Sequence, residues 1–154
     1  MVELFETLTR TVAVECCANS YARRALGEVE RAYREMLEDM IDCTVEHQAS
    51  QSTLPRVFYS RFRERYPWLP VRVVKGAYRD SIRRVKSFRE LKKRGRAYAD
   101  KPEVRRVTIT YSDTRDWKLK DGAVKLKTNS GWVNLHYRGH RWLHRYLYSS
   151  CEAF

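Results

Sequence analysis

Cysteine, glycine and proline are scarce in this chain and acidic residues are outnumbered by basic ones, and each shortfall narrows the range of functions. Across 154 residues, 19 Asp and Glu face 31 Lys and Arg, a formal net charge of +12 at neutral pH. An imbalance of that size on a small domain points to a polyanionic partner, meaning nucleic acid or, less often, an anionic membrane surface. The four cysteines, Cys16, Cys17, Cys43 and Cys151, show no C-x-x-C spacing and are too few for a secreted disulfide scaffold. No zinc ribbon is expected, and free, mostly buried thiols are. Six glycines and four prolines supply neither a Gly-rich phosphate loop nor a G-x-S-x-G turn. Long apolar runs are missing as well: nothing approaches the roughly 18 apolar residues that span a bilayer, and no signal-peptide core follows Met1. A soluble, cytoplasmic protein with no membrane partner is the expectation.

What is present is enough for a core. The 43% hydrophobic content can fill one domain or two small lobes. In "TLTRTVAVECC" apolar and polar positions alternate, with Leu8, Arg10, Val12, Val14 and Cys16 on one face, the pattern of a half-buried strand. Asn19 and Ser20 then offer an N-cap. From Tyr21 to about His47 the period becomes helical, through Ala22, Ala25, Val29, Tyr33, Met36, Leu37, Met40 and Ile41. This long helix is acidic, with seven Asp and Glu against four Arg. After "QASQST" a second helix is predicted from Thr53 to about Tyr66, burying Leu54, Val57, Phe58 and Phe62. "YPWLP" forms a stiff corner, because each proline fixes its own φ and holds the preceding residue out of the helical region.

A third helix is predicted from about Val71 to Leu91 or beyond. At about 100° per residue its two populations separate. Val73, Val74, Ala77, Tyr78, Ser81, Ile82, Val85 and Phe88 fall on one half; Arg72, Lys75, Arg79, Arg83, Lys86 and Lys93 line the other. Between Arg72 and Arg96 stand eleven Lys and Arg, with only Asp80 and Glu90 to offset them. Like charges at i, i+4 repel unless an anion neutralises them. A phosphate backbone, which releases counterions as each cation docks, accounts for the placement better than a solvated face does.

After Gly95 the composition turns to β-branched and aromatic residues. "VRRVTITY", "DWKLKDG", "AVKLKTNSG" and "WVNLHY" are separated by Asp-Gly and Asn-Ser-Gly turns and predict an antiparallel meander. Lys118, Lys120, Lys125 and Lys127 alternate with Trp117, Leu119, Val124 and Leu126, so one sheet face is packed and the other basic. Trp132, His136, Tyr137, Trp142, Tyr146 and Tyr148 lie among Arg138, Arg141 and Arg145, a mixture suited to stacking on bases or riboses or, equally, to the core of a small barrel. "HRWLHRYLY" fits strand or short helix. The predicted fold class is α+β: a small antiparallel β-barrel or sheet from residues 1–18 and 96–154, with a three-helix lobe, residues 19–95, inserted after the first strand. No internal repeat or low-complexity linker divides it.

Catalytic inventory is poor. Asp113, Asp116 and Asp121 fall at turns, where Asp ordinarily bonds the backbone. No acidic cluster in the basic half is able to hold two Mg²⁺ ions. His136, His140 and His144 recur every four residues, yet Gly139 interrupts a helix there and no Cys or carboxylate follows until Cys151 and Glu152. No metal, cofactor or enzymatic activity is expected.

The order of these segments, above all "GAYRDSIRRVKSFRELKKRGRAYADKPEVRRVTITY" and "DGAVKLKTNSGWVNLHY", resembles the N-terminal part of TnpB proteins of transposable elements, particularly archaeal ones. The resemblance runs from about Thr9 to Tyr148 and is most specific from Ala77 to Thr110. It implies a wedge domain, a small β-barrel split by a helical recognition lobe, that binds guide RNA and the DNA beside its target. In TnpB a RuvC-type nuclease domain follows; here "YLYSSCEAF" stands instead, which implies a nuclease-dead binding module. By this analogy Lys75, Arg79, Arg83, Arg84 and Lys86 are the foremost phosphate contacts. Arg72, Arg89, Lys92, Lys93, Arg94 and Arg96 extend the same helix. Arg105, Arg106, Lys118, Lys120, Lys125 and Lys127, with Arg138, Arg141 and Arg145, form the sheet-side group.

The leading expectation is thus a truncated TnpB-like protein that binds RNA, guide-like or ribosomal, or duplex DNA, without cleaving it. A basic structural protein of the ribosome or chromatin, recruited from a transposon-derived domain, is the alternative. A protein partner on the acidic helix is a further one.

Overall fold

The computed structural model describes residues 11–120 and 122–138. Strand β1, Cys16–Cys17, leads into α1, Ser20–His47; α2, Thr53–Arg65, and α3, Val71–Lys93, follow. Strands β2, Trp117–Lys120, β3, Ala123–Thr128, and β4, Gly131–Tyr137, close the described chain. This is the expected α+β architecture, with three helices inserted between the first strand and the rest of an antiparallel sheet.

Each helix begins and ends for a local reason. Asn19 caps α1, its side-chain oxygen accepting from the Ala22 N–H at 2.8 Å. Pro70 precedes the first residue of α3. That helix stops in a Schellman turn at Gly95, where φ is +67°. The Arg96 N–H donates to the Leu91 carbonyl at 2.9 Å and the Gly95 N–H to that of Lys92 at 3.0 Å.

The apolar stripe of α1 packs along α3, with α2 and the Leu69 corner completing the core. Met36, Leu37, Met40, Leu54 and Val74 are wholly buried there. Val57, predicted to be inside, is 54% exposed and faces away from this core. Leu91 is exposed too, because the packed face of α3 ends at Val85.

The sheet has strand order β1-β4-β3-β2, every pair antiparallel. Among the described residues β1 and β2 are free edges, so the sheet is open rather than a closed barrel. Its register sets Val124, Leu126, Val133 and Leu135 on one face, where they pack on Ala22, Ala25 and Leu26 of α1. Alanine at the contact lets helix and sheet approach closely. The opposite face carries Lys118, Lys120, Lys125, Lys127, Trp132, Asn134 and His136, as the period of two requires.

Two strand expectations are corrected. Among the described residues of "TLTRTVAVECC" only Cys16 and Cys17 pair, with Tyr137 and His136, and one more bond runs from the Arg138 N–H to the Glu15 carbonyl. Residues 7–10 lie outside the described part; Val12 is 38% exposed, and both Cys16 and Cys17 are exposed rather than buried. "VRRVTITY", residues 104–111, is extended but joins no ladder among the described residues. Val104, Val107, Ile109 and Tyr111 instead pack on the helical core. Arginines take two of its carbonyls, Arg34 that of Val104 and Arg84 that of Arg106 at 2.7 Å. The final "HRWLHRYLY", with Trp142, Tyr146 and Tyr148, lies outside the described residues.

The turn joining β3 and β4 places Asn129 and Ser130 at its tip, yet the positive φ, +90°, falls on Gly131. No neighbour lies within 4 Å of an added Cβ there, so a substitution meets only backbone strain. Gly131→Ala is expected to cost about 1–2 kcal/mol, read as a lower urea midpoint. An unchanged midpoint contradicts the assigned turn.

Candidate nucleic-acid interface

The basic half of α3 opens onto a cleft of about 520 Å³ shared with the extended segment. Arg72, Lys75, Arg79, Arg83 and Arg84 line it from the helix, and Thr108, Thr110 and Ser112 line it from the segment. The hydroxyls follow from alternation: Val107, Ile109 and Tyr111 turn to the core, so the residues between them turn outward. Gly76 also lines the cleft and contributes no side chain to its volume.

The one carboxylate in this cleft is already committed. Asp80 accepts from Arg84 Nε at 2.9 Å and from the Tyr33 hydroxyl at 3.0 Å. Burial, reinforced by Asp80, raises the Tyr33 pKa, so its phenol stays a donor. Arg84 thereby clamps Asp80 and the Arg106 carbonyl together and fixes the width of the cleft. Arg72, Lys75, Arg79 and Arg83 are exposed and form no ion pair among the described residues.

A second cleft, of about 460 Å³, adjoins the first through Arg72 and Lys75. Arg63, Trp68, Arg115, Asp113, Asp116 and Lys127 are among its lining. Asp113 plays the turn role expected of it, accepting from the Arg115 backbone at 3.0 Å and from its guanidinium at 2.7 Å. Those Arg115 hydrogen bonds hold the Asp113 carboxyl well below the usual carboxylate range.

The acidic helix does not neutralise this ridge. Its carboxylates pair with α2 and with the 101 loop: Asp39 with Arg61 at 3.4 Å, Glu35 with Arg65 at 3.0 Å and Asp42 with Lys101 at 2.7 Å. Glu30 holds Arg34 on its own helix at 3.1 Å. Glu35 also accepts from the Tyr66 hydroxyl, and burial with that contact pushes the Tyr66 pKa up to about 12. Among the described residues no carboxylate of α1 lies within ion-pair distance of a cation on α3.

The remaining candidates are dispersed. Lys86 is exposed on α3, while Arg89 donates to the Thr44 carbonyl at 3.3 Å and Lys92 to that of Ala99 at 3.2 Å. Lys93 pairs with Glu90 at 3.2 Å and Arg105 with Glu103 at 3.0 Å. Arg94, Arg96 and Arg106 are exposed beyond the helix and on the segment. Lys118, Lys120, Lys125 and Lys127 share the outer sheet face with exposed His136; Arg138 follows β4, and Arg141, Arg145, His140 and His144 lie outside the described residues. His136 sits on a strand, so the helical stacking of imidazoles does not apply to it. Among the described residues no three His, Cys, Asp or Glu side chains come together as a metal site, and no helix is long and apolar enough to cross a membrane.

Fold and site together define a small α+β protein in which a basic helix and an extended strand-like segment flank a polar, cation-lined cleft. Residues 29–127, which hold the whole of that cleft, match the Uncharacterized protein MJ0013 family, and the chain belongs to it. It is similar to "Uncharacterized protein MJ0857" of Methanocaldococcus jannaschii, 26% identical over 137 residues, covering 85% of this chain and 50% of that protein. The chain thus spans about half the length of this relative. No solved structure matches.

Proposed function

We propose that this protein binds nucleic acid through the α3 cleft, in the cytoplasm, as a TnpB-like binding module that does not cleave. The observation that carries the reading is a solvent-open cleft holding five cations against one carboxylate, with that carboxylate already held by Arg84 and Tyr33. Phosphate oxygens are the anions this lining suits. Guanidinium groups fork onto them, and the hydroxyls of Thr108, Thr110 and Ser112 supply neutral donors beside the charges. Repulsion among Arg72, Lys75, Arg79 and Arg83, spaced about one helical turn apart, is relieved when the anion docks.

The order of strand, three helices and antiparallel strands supports a wedge-and-recognition-like role, with an open sheet in place of the barrel that the TnpB resemblance implies. A partner protein on α1 finds less support, because several α1 carboxylates are engaged by Arg61, Arg65 and Lys101.

Titration of the purified chain with labelled RNA and DNA, single-stranded and duplex, tests the proposal. Binding in the micromolar range or tighter at low salt is expected. Failure to bind any of the four overturns it.

A further inference from the structure

The outer face of the sheet is built from parts that the α3 cleft does not use. Cross-strand register puts Lys118 directly opposite Lys125 and Lys127 directly opposite Trp132, with Asn134 and His136 farther along the same face. Like charges set directly opposite destabilise an antiparallel pair, so fold stability alone gives no reason for two facing lysines. The apolar face of the sheet is already packed on α1, whereas on this one, among the described residues, only Ala123 is buried.

Trp132 is the telling residue. A large indole normally gains most by burial, yet this one is 42% exposed on the open face of β4. Among the described residues its ring partner is the Lys118 ammonium, 5.2 Å from the ring centre. An exposed cation–π contact is weak and does not by itself account for a tryptophan here. An exposed indole among lysines on a sheet surface is the kind of arrangement on which an unstacked base lies while neighbouring cations hold its phosphates.

We propose that this face is a stacking platform for single-stranded nucleic acid, with Trp132 carrying a base and Lys118, Lys125 and Lys127 gripping the backbone on either side. The inference rests on the nucleic-acid reading above and deepens it by naming the form of the partner. A duplex does not offer a free base face, because each base is already stacked between its neighbours; a single strand does. The platform is continuous with the helix side, since Lys127 also lines the second cleft beside Arg72 and Lys75. A strand passing from α3 to Trp132 crosses a cleft in which five cations, Arg63, Arg72, Lys75, Arg115 and Lys127, outnumber two carboxylates, Asp113 and Asp116.

The test compares affinity for an oligouridylate with affinity for its duplex with oligoadenylate, using wild type, Trp132→Ala, Trp132→Leu and Trp132→Phe. Leucine keeps apolar bulk without a π-face, so it serves if the alanine variant folds poorly; phenylalanine restores a ring. Expected are a loss of about tenfold or more for the single strand in the Ala and Leu variants, duplex affinity within about twofold of wild type, and substantial rescue by Phe. Quenching of tryptophan fluorescence on adding single strand should shrink in all three. Equal single-strand affinity in wild type and Leu variant overturns the platform, as does parallel loss for single strand and duplex. Wild type that binds duplex but no single strand overturns the platform and leaves the proposed function standing; wild type that binds neither overturns both.

Discussion

Replacing both Arg79 and Arg83 by Glu is expected to lower affinity for RNA and DNA about 100-fold at low salt, with little dependence on sequence. Both guanidinium groups are exposed, line the first cleft and form no ion pair among the described residues. Their reversal should therefore leave the fold intact while turning two attractive phosphate contacts into repulsive ones. The salt slope should also fall by about two, because each lost phosphate contact releases roughly one counterion fewer. A control sharpens the result: Arg61→Glu and Arg65→Glu, whose side chains serve the acidic helix, should disturb stability more than binding. Loss of affinity for one sequence alone, with others unaffected, contradicts a phosphate role for Arg79 and Arg83. Binding equal to wild type removes them from the site.

Phe62→Ala is expected to produce the largest change in stability. The ring is 1% exposed, belongs to the core that joins α1, α2 and α3, and stacks on Phe58 with centroids 5.1 Å apart. Truncation removes buried apolar area and leaves a cavity that rigid helices fill poorly, a cost of about 3–5 kcal/mol. Against a typical total of about 5–15 kcal/mol, this is a large share, and the urea midpoint should fall by about 2 M. Val57, on the same helix but 54% exposed, provides the contrast. Val57→Ala should stay within about 0.5 kcal/mol of wild type. Equal losses at the two positions contradict the face that α2 is seen to bury.

Much of this architecture was legible in residue spacing, and the exceptions have physical causes. The helical period of α1 and the two-sided wheel of α3 place Met36, Leu37, Val73 and Val85 in the core without reference to anything distant. Gly95 and Asn19 mark helix ends because their roles are local. "VRRVTITY" departs from the expected strand for a reason intrinsic to the signal. Alternation shows that Val107, Ile109 and Tyr111 are covered, but not whether a sheet or a helical layer covers them, nor whether the backbone finds a ladder. Val57 fits the same period as its buried neighbours and is exposed because α2 is packed from one side only.

The cationic residues of the cleft were visible as a charged helix face, but the cleft itself was not. Thr108, Thr110 and Ser112 become lining residues only once the segment lies along α3, a long-range placement held by Arg84 on the Arg106 carbonyl. Arg63 and Arg115 do not stand out in the sequence because each sits directly beside a carboxylate, Glu64 and Asp116, and only the fold turns them into the second cleft. Charge totals likewise left undecided which cations the acidic helix would claim. Geometry assigns it Arg61, Arg65 and Lys101, and the ridge on α3 stays open.

The dependence of binding on salt bears most directly on whether that ridge grips a polyanion. Dissociation constants for RNA and for duplex DNA, measured between about 50 and 200 mM monovalent salt, should give a log–log slope for the association constant of about −3 to −5, as for four or five phosphates held at once. Affinity that stays flat across this range contradicts the claim.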